Sequence, residues 1–244
     1  MFDKLEILAF GVHPDDVELG CAGTILASVA QGKKVGIIDL TQGELGTRGS
    51  VEKRKEEAAA AANLMKVSVR INLEMADGFF VNDEFHQRKV IEVIRKYKPE
   101  IVICNAPEDR HPDHGRSAKL VDDACFLAGL RKIETFADGQ PQEAWRPKCV
   151  FHYLQDRFLQ PDFVFDISNF NEQKLEAIKC YKTQFYNPEL NEPETYISSP
   201  EFFDSVKARA MMLGKRIGVK YAEGYITKKM IGIENFDSII QQIT

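Results

Sequence analysis

Two short segments of nearly the same sequence hold most of the residues that could carry out chemistry. Residues 13–16 read His-Pro-Asp-Asp and residues 111–114 read His-Pro-Asp-His, and together they contain three of the five histidines in the chain. Imidazole and carboxylate groups are good ligands for Zn²⁺, and three protein ligands with one open position are typical of a catalytic zinc site. The two segments therefore predict a metal-dependent hydrolase.

Three residues of these segments are the candidate metal ligands. His13 and Asp16 are three residues apart, so both side chains can face inward from a turn that opens a helix. His114 can supply the third ligand from the second segment. We expect Zn²⁺ at this site, although Fe²⁺ or another divalent ion tolerates the same ligands.

The remaining polar residues of the two segments are candidates for catalysis. Asp15 is free to accept a proton from a water molecule that the metal activates. His111 can face the other side of the substrate, where it would stabilise an oxyanion or protonate a leaving amine. Asp113 would orient His111 by accepting its second N–H. This set of groups suits the hydrolysis of an amide.

The chain around these residues alternates between strand-like and helix-like patterns. The predicted strands are Leu5–Val12, Lys34–Leu40, Val69–Leu73, Glu100–Cys104, Cys149–Leu154 and Phe163–Ile167, and the predicted helices are Leu19–Gln31, Val51–Met65, Phe85–Tyr97, Arg116–Ala128, Asn171–Gln184 and Glu201–Arg216. Such alternation predicts an α/β fold with a Rossmann-like, mostly parallel sheet flanked by helices. The less regular C-terminal third, with a polar loop at Asn187–Pro200, is interpreted as an elaboration of the same domain.

The order of the strands would bring the two His-Pro-Asp segments together. One segment follows the first predicted strand, and the other follows the fourth after a short loop. In a 3-2-1-4-5 order these two strands are neighbours, and ligands of such sheets bind beyond the carboxyl ends of the strands, where the order reverses. We therefore expect the two segments to meet over one crevice.

Other interpretations of the same residues stay open at this point. A single His-Pro-Asp is often only a turn in which Asp caps a helix, although two such segments favour a metal site. Two histidines and one carboxylate also form the metal triad of non-haem Fe(II) oxygenases. The glycine-rich residues 20–23 could belong to a dinucleotide-binding turn, but they lack the full G-x-G-x-x-G pattern. A metal-binding module without catalysis would leave Asp15 and His111 unused.

Composition restricts the class of protein and its partners. The 244 residues include 44% hydrophobic and 28% charged residues with a net charge of −5, which disfavours a nucleic-acid partner. The basic run Lys53–Lys55 is flanked by glutamates and predicts a solvated helix face. Five scattered cysteines indicate reduced, mostly buried thiols, and we expect a cytoplasmic protein without a signal peptide or a membrane span. The irregular C-terminal third could form the interface of a homo-oligomer.

The two His-Pro-Asp segments resemble those of the LmbE/PIG-L family of zinc-dependent N-acetylglucosamine deacetylases. The resemblance extends through most of the chain, and residues 41–49, 174–185 and 221–225 are similar to the bacillithiol-biosynthesis branch of that family. It implies one deacetylase domain over residues 1–244, with the metal-binding and catalytic roles given above. The implied substrate is N-acetylglucosaminyl-malate, cleaved to acetate and the free amine, with another GlcNAc-containing compound as the alternative. Thr183 replaces the serine expected in this branch, which is a conservative departure.

Several polar residues near the predicted crevice suit such a small amino-sugar conjugate. Glu44, Thr47 and Arg48 follow the second strand, and Arg48 could pair with a malate carboxylate. Arg110, next to His111, could bind a carboxylate or the sugar.

Two further acidic residues complete the expected substrate contacts. Asp77 follows the third strand and could accept a sugar hydroxyl or simply stabilise a turn. Glu223 is expected to reach the site from the C-terminal segment, as the family resemblance implies. His86 and His152 lie outside both segments and are interpreted as a surface residue and a core residue.

Overall fold

The computed structural model describes residues 4–233. The strands are β1 Ile7–Gly11, β2 Val35–Thr41, β3 Val69–Met75, β4 Ile101–Cys104, β5 Phe136–Ala137, β6 Gln140–Pro141, β7 Cys149–Tyr153, β8 Phe163–Asp166 and β9 Ala222–Ile226. The helices are α1 Asp16–Ala30, α2 Val51–Met65, α3 Glu84–Tyr97, α4 Pro112–Ala128, α5 Asn171–Lys179 and α6 Pro200–Arg216. A turn of 3-10 helix, Tyr196–Ser198, precedes α6.

Seven strands form one sheet in the order β3-β2-β1-β4-β7-β9-β8, and β5 and β6 form a separate antiparallel pair. Strands β1, β2, β3, β4 and β7 are parallel to one another, whereas β9 runs antiparallel to β7 and β8. The α/β fold class predicted from the sequence is therefore confirmed, including the position of β1 between β2 and β4. The carboxyl ends of β1 and β4 flank the crevice that this order creates.

Side chains that alternate along the central strand build two core layers. Leu8 and Phe10 pack in a cluster with residues of α3 and α4, whereas Ile7 and Ala9 pack in a second cluster with residues of α1. Successive side chains of a strand point to opposite faces, so a strand covered by helices on both sides is apolar throughout. This is why β1, which is buried along its whole length, lacks the polar alternation of a half-exposed strand.

The C-terminal third differs most from the sequence-based expectation. The helix predicted over Asn171–Gln184 ends at Lys179, and the polar loop Asn187–Pro200 contains the 3-10 turn. Strand β9 was not predicted, because Ala222–Ile226 contains a glutamate and a glycine, two residues that are depleted in strands. It nevertheless completes the sheet between β7 and β8.

Two expectations about the class of protein can be compared with the structure. Within residues 4–233, each helix is too short or too polar to cross a membrane. The five cysteines are free thiols, of which Cys21, Cys104 and Cys125 are buried and Cys149 and Cys180 are half-buried. The prediction of mostly buried cysteines agrees with this arrangement.

Candidate metal centre and active site

The two His-Pro-Asp segments meet in one cavity beyond the carboxyl ends of β1 and β4. The cavity has a volume of about 210 Å³. Its walls include His13, Asp15 and Asp16 from the first segment and His111 and His114 from the second. The structure therefore brings together residues that are far apart in sequence, as the predicted strand order required.

A strained turn after β1 presents the first segment to the cavity. Asp15 precedes α1 with φ 145°, a value that is rare for any residue other than glycine. Such strain costs of the order of 1–3 kcal/mol and is concentrated at functional sites. The turn also packs closely on Gly11, because a Cβ there would lie 3.1 Å from Cβ of Asp16 and 3.2 Å from the carbonyl oxygen of His13, which is closer than most such contacts.

Two histidine nitrogens and one carboxylate converge at the centre of the cavity. Nδ1 of His13 lies 3.7 Å from Oδ2 of Asp16, and Nε2 of His114 lies 3.2 Å from Oδ1 of the same carboxylate. The imidazole rings of His13 and His114 have centroids 5.9 Å apart. These are the three predicted ligands, and the Asp16 carboxylate lies close to a nitrogen of each histidine.

Two further carboxylates fix the orientation of these imidazole rings. Nε2 of His13 lies 3.0 Å from Oδ1 of Asp77, and Nδ1 of His114 lies 2.7 Å from Oδ2 of Asp109. Histidines that bind metals usually donate their second N–H to a carboxylate or a carbonyl, which fixes the tautomer and the ring orientation. The arrangement leaves Nδ1 of His13 and Nε2 of His114 free to act as ligands, so the chemistry of the donor set fits a divalent ion.

Within residues 4–233, two groups of three candidate ligands have donor atoms that all lie within 4.8 Å of one another, and neither is the predicted set of His13, Asp16 and His114. The first group is His13, His111 and His114, and the second is His13, Asp77 and Asp113. In the first group, Nδ1 of His111 already accepts a backbone N–H, and in the second, Asp77 binds the nitrogen of His13 that points away from Asp16. Asp16 itself accepts hydrogen bonds on both carboxylate oxygens, so the ligand set that includes it stays a prediction from the two His-Pro-Asp segments.

The charges around Asp16 keep it ionised. Burial raises the pKa of this carboxyl group, but the adjacent His114 and His13 and a hydrogen bond from Gln155 lower it well below its usual value. Conversely, the Asp16 and Asp109 carboxylates outweigh the effect of burial on His114 and raise its pKa to about 10. Burial lowers the pKa of His13, but its hydrogen bond to Asp77 and the charge of Asp16 reverse this and raise it.

Asp15 has the opposite electrostatic behaviour from its neighbour Asp16. Burial raises the pKa of Asp15 to about 7, and the positive charge of Arg54 opposes this rise. Nη1 of Arg54 lies 3.4 Å from Oδ2 of Asp15 and 3.2 Å from the carbonyl oxygen of Pro14. A carboxylate with a pKa near the operating pH is suited to accept and return a proton.

His111 lies across the cavity, but Asp113 does not hold it in the predicted way. Nδ1 of His111 accepts the backbone N–H of Asp113, because His111 is the N-cap of α4. The carboxylate of Asp113 instead accepts hydrogen bonds from the backbone N–H of Gly78 and from Arg116. Burial and the charges of His13 and His114 lower the pKa of His111, so its ring is neutral with the proton on Nε2.

The predicted substrate-binding residues have different positions. Asp77 and Arg110 line the cavity, and Arg110 also pairs with Asp156 at 2.6 Å and lies over the ring of Tyr196 at 4.3 Å. Glu44 accepts the backbone N–H of Asp77 at 2.8 Å and so supports that residue from outside the cavity. Its neighbour Thr47 is exposed beyond the cavity wall.

Arg48 and Glu223 do not have the predicted positions at the cavity. Nε of Arg48 lies 3.4 Å from Oε2 of Glu192, which belongs to the polar loop Asn187–Pro200, and the Arg48 side chain is buried. Glu223 binds the backbone N–H groups of Gly23 and Thr24 at 3.0 and 2.8 Å, where α1 has a non-helical residue. Its carboxylate therefore stabilises α1 at this non-helical residue and has a structural role rather than a ligand-binding one.

Sequence reasoning missed several residues of the cavity wall. Arg54 was assigned to a solvated basic run, which is wrong for this residue, because it is only 6% exposed and faces Asp15. Gln155 follows β7 at the same edge of the sheet and donates to Asp16 at 2.7 Å. Ligands of such sheets bind beyond the carboxyl ends of the strands, and the same reasoning applied to β7 would have indicated Gln155. Asp109 could be noticed only as an acidic residue in the loop between β4 and α4.

The glycine-rich residues 20–23 contribute to packing. A Cβ at Gly20 would lie 2.1 Å from the ring of Tyr153, and one at Gly23 would lie 2.7 Å from Ile167. These glycines let α1 approach β7 and the segment after β8 closely. That role accounts for them without a bound dinucleotide.

Comparisons with known proteins agree with the arrangement of the site. The family model described as GlcNAc-PI de-N-acetylase (PIG-L) matches residues 8–125, which include both His-Pro-Asp segments. A diacetylchitobiose deacetylase from Thermococcus kodakarensis is 28% identical over 235 residues, or 91% of this chain and 82% of that protein. A probable N-acetyl-alpha-D-glucosaminyl L-malate deacetylase 2 from Bacillus subtilis is 25% identical over 198 residues, or 74% of this chain and 84% of that protein.

A solved structure extends the relationship to nearly the whole chain. The crystal structure of the conserved protein TT1542 from Thermus thermophilus has a TM-score of 0.84 and 32% sequence identity to this chain. The match covers 94% of this chain and 98% of that one. The similarity therefore extends beyond residue 125, where the family model ends, into the C-terminal third of the chain.

Proposed function

We propose that the chain is a de-N-acetylase of the PIG-L type, a metal-dependent hydrolase that removes the N-acetyl group from an N-acetylglucosaminyl conjugate. One observation carries this proposal. The Asp16 carboxylate lies close to a nitrogen of His13 and of His114 in a cavity that also contains a buried Asp15, whose pKa is raised to about 7. These contacts support a metal-binding set with a base beside it.

In this proposal, His13, Asp16 and His114 hold Zn²⁺, with Fe²⁺ as the alternative ion. When bound, such an ion supplies Lewis acidity to a water molecule and to the acetamide carbonyl group. Asp77 and Asp109 keep the two imidazole rings in the orientation that binding requires.

The protein groups around the acetamide have separate tasks. Asp15 accepts a proton from water as the water oxygen adds to the carbonyl carbon. The neutral His111 donates its Nε2–H to the carbonyl oxygen, on which negative charge develops. The C–N bond then breaks, and the proton held by Asp15 passes to the amine nitrogen, which leaves acetate and a free amine. The lowered pKa of His111 supports this hydrogen-bonding role over that of a general acid.

For the group beyond the sugar, we propose malate. Arg110 is on the cavity wall, and its guanidinium already binds the carboxylate of Asp156, so a substrate carboxylate could take that place. The similarity to the protein from Bacillus subtilis supports the same choice, which would put the enzyme in bacillithiol synthesis. The similarity to the diacetylchitobiose deacetylase supports a second GlcNAc residue as the alternative.

Metal analysis combined with acetate release tests the proposal. The substrates to compare are N-acetylglucosaminyl-malate, diacetylchitobiose and N-acetylglucosamine, with the expected preference in that order. His13→Ala should lose both bound metal and acetate release, whereas the control His86→Ala, on α3 outside the cavity, should retain both. Acetate release that persists in His13→Ala would refute the metal-dependent mechanism. Oxygen consumption with Fe²⁺ and a co-substrate, in place of acetate release, would favour the oxygenase.

A further inference from the structure

A buried polar network connects strand β7 to the metal centre. His152 of β7 is 1% exposed, and its Nδ1 lies 2.8 Å from the carbonyl oxygen of Asn105 and 3.4 Å from the sulfur of Cys104. Its Nε2 lies 3.3 Å from Oδ1 of Asp122. Burying a polar ring costs free energy, and the hydrogen bond of Nδ1 offsets part of that cost, whereas the contact of Nε2 with Asp122 lacks hydrogen-bond geometry.

Asn105 links this histidine to Asp16. It follows β4, is completely buried, and its carbonyl group can only accept, so Nδ1 of His152 carries the proton in this hydrogen bond. The side-chain Oδ1 of Asn105 accepts from the hydroxyl group of Ser117 at 3.2 Å. With both of these acceptors engaged, Nδ2 of Asn105 points at Oδ2 of Asp16, 3.1 Å away.

We infer that His152 is a positioning residue for the metal ligand Asp16 and acts on it through Asn105, an inference that rests on the proposed function. The backbone N–H groups of Val12 and His13 also donate to Oδ2 of Asp16, each at 3.0 Å. Asn105 is the third donor to this oxygen, and it comes from the opposite loop. Asn105 therefore fixes the carboxylate relative to the loop that carries His114. The two backbone groups cannot do this, because they belong to the same turn as Asp16.

The expected consequence is a change in metal affinity. Removing a partner that orients a metal ligand typically weakens binding by about 10–100-fold. His152→Leu removes the donor to Asn105, and Ser117→Ala removes the hydroxyl group that orients its amide. Both variants should weaken Zn²⁺ binding, while His152→Asn, whose Nδ2 can occupy the position of Nδ1, should restore part of it.

The experiment measures Zn²⁺ affinity by chelator competition on the whole purified chain, together with the melting temperature. Ser28→Ala is the matched control, because it removes another buried serine hydroxyl whose hydrogen bond stays within α1. If His152→Leu does not fold, His152→Gln, which stays polar but moves its amide one bond further from the ring position, is measured in its place. Wild-type affinity in a folded His152→Leu or His152→Gln protein would overturn the inference, and wild-type affinity in Ser117→Ala would contradict the part that Asn105 plays in it. A wild-type protein that binds no Zn²⁺ would instead refute the proposed function, and this inference with it.

Discussion

Replacing Arg54 by methionine should move the acid limb of the activity profile to higher pH. Asp15 must be ionised to accept a proton, so activity falls as the pH drops through the pKa of Asp15. Burial raises that pKa and the positive charge of Arg54 lowers it. Arg54→Met removes the charge that favours the ionised form, so the pKa of Asp15 rises further and activity is lost at a higher pH.

The size of the shift follows from the contact. Nη1 of Arg54 lies 3.4 Å from Oδ2 of Asp15, and both side chains are buried. An arginine next to an aspartate typically lowers the pKa of the carboxyl group by about 1–3 units. From a starting value of about 7, loss of that charge would reduce the ionised fraction at pH 7 from about one half to between about a tenth and a thousandth. The displacement between wild type and variant is the measured quantity, because a bound ion adds the same charge to both.

The assay is kcat/KM for acetate release as a function of pH. Arg54 also lines the cavity, so contact with the substrate would lower the whole profile without moving its acid limb. Arg54→Lys retains the charge and should keep the limb near its wild-type position. Lys55→Met removes an exposed charge from the same helical turn and should change nothing. An acid limb that stays in place, or moves to lower pH, in Arg54→Met would refute the electrostatic argument.

Three further substitutions test whether a residue acts in catalysis or in the stability of the fold. Asp15→Asn should retain bound Zn²⁺ but lose turnover by at least about 100-fold, and metal content measured beside acetate release checks this; retained turnover would exclude Asp15 as the base. Gly20→Ala forces a Cβ to within 2.1 Å of Tyr153, so urea unfolding should show a loss of at least about 1–3 kcal/mol, and unchanged stability would contradict the close packing. Glu223→Gln leaves Lys174 buried without its ion pair; it should cost about 3–5 kcal/mol while the folded enzyme keeps its kcat, and a selective loss of kcat would return Glu223 to the active site.

The sequence predicted the sheet and the position of the site because both depend on local patterns. Apolar runs such as Ile7–Gly11 and Ile101–Cys104 mark buried parallel strands, and the strand order then fixes where their loops meet. Strand β9 was missed because its stability comes from partners distant in sequence. Glu223 lies in that strand and is buried against Lys174, 49 residues away.

The residues of the site that could not be predicted depend on helix orientation and burial. Arg54 follows the N-cap Ser50 of α2 by four residues, and its neighbours Lys53 and Lys55 are exposed. Only the direction in which α2 packs decides that the middle residue of this basic run faces Asp15. Arg48 is a similar case, because it pairs with Glu192 of the polar loop Asn187–Pro200, whose conformation the sequence pattern does not predict.

The difference between the two His-Pro-Asp segments shows how backbone conformation assigns chemical roles to similar sequences. In the second segment the helix begins at Pro112, so His111 is the N-cap and its Nδ1 accepts a hydrogen bond from a backbone N–H. In the first segment the helix begins only at Asp16, so Nδ1 of His13 stays free to face that carboxylate. The two-residue delay also places Asp15 at φ 145°. In the proposed mechanism, the same tripeptide thus supplies a metal ligand and a base in one loop, and a neutral hydrogen-bond donor in the other.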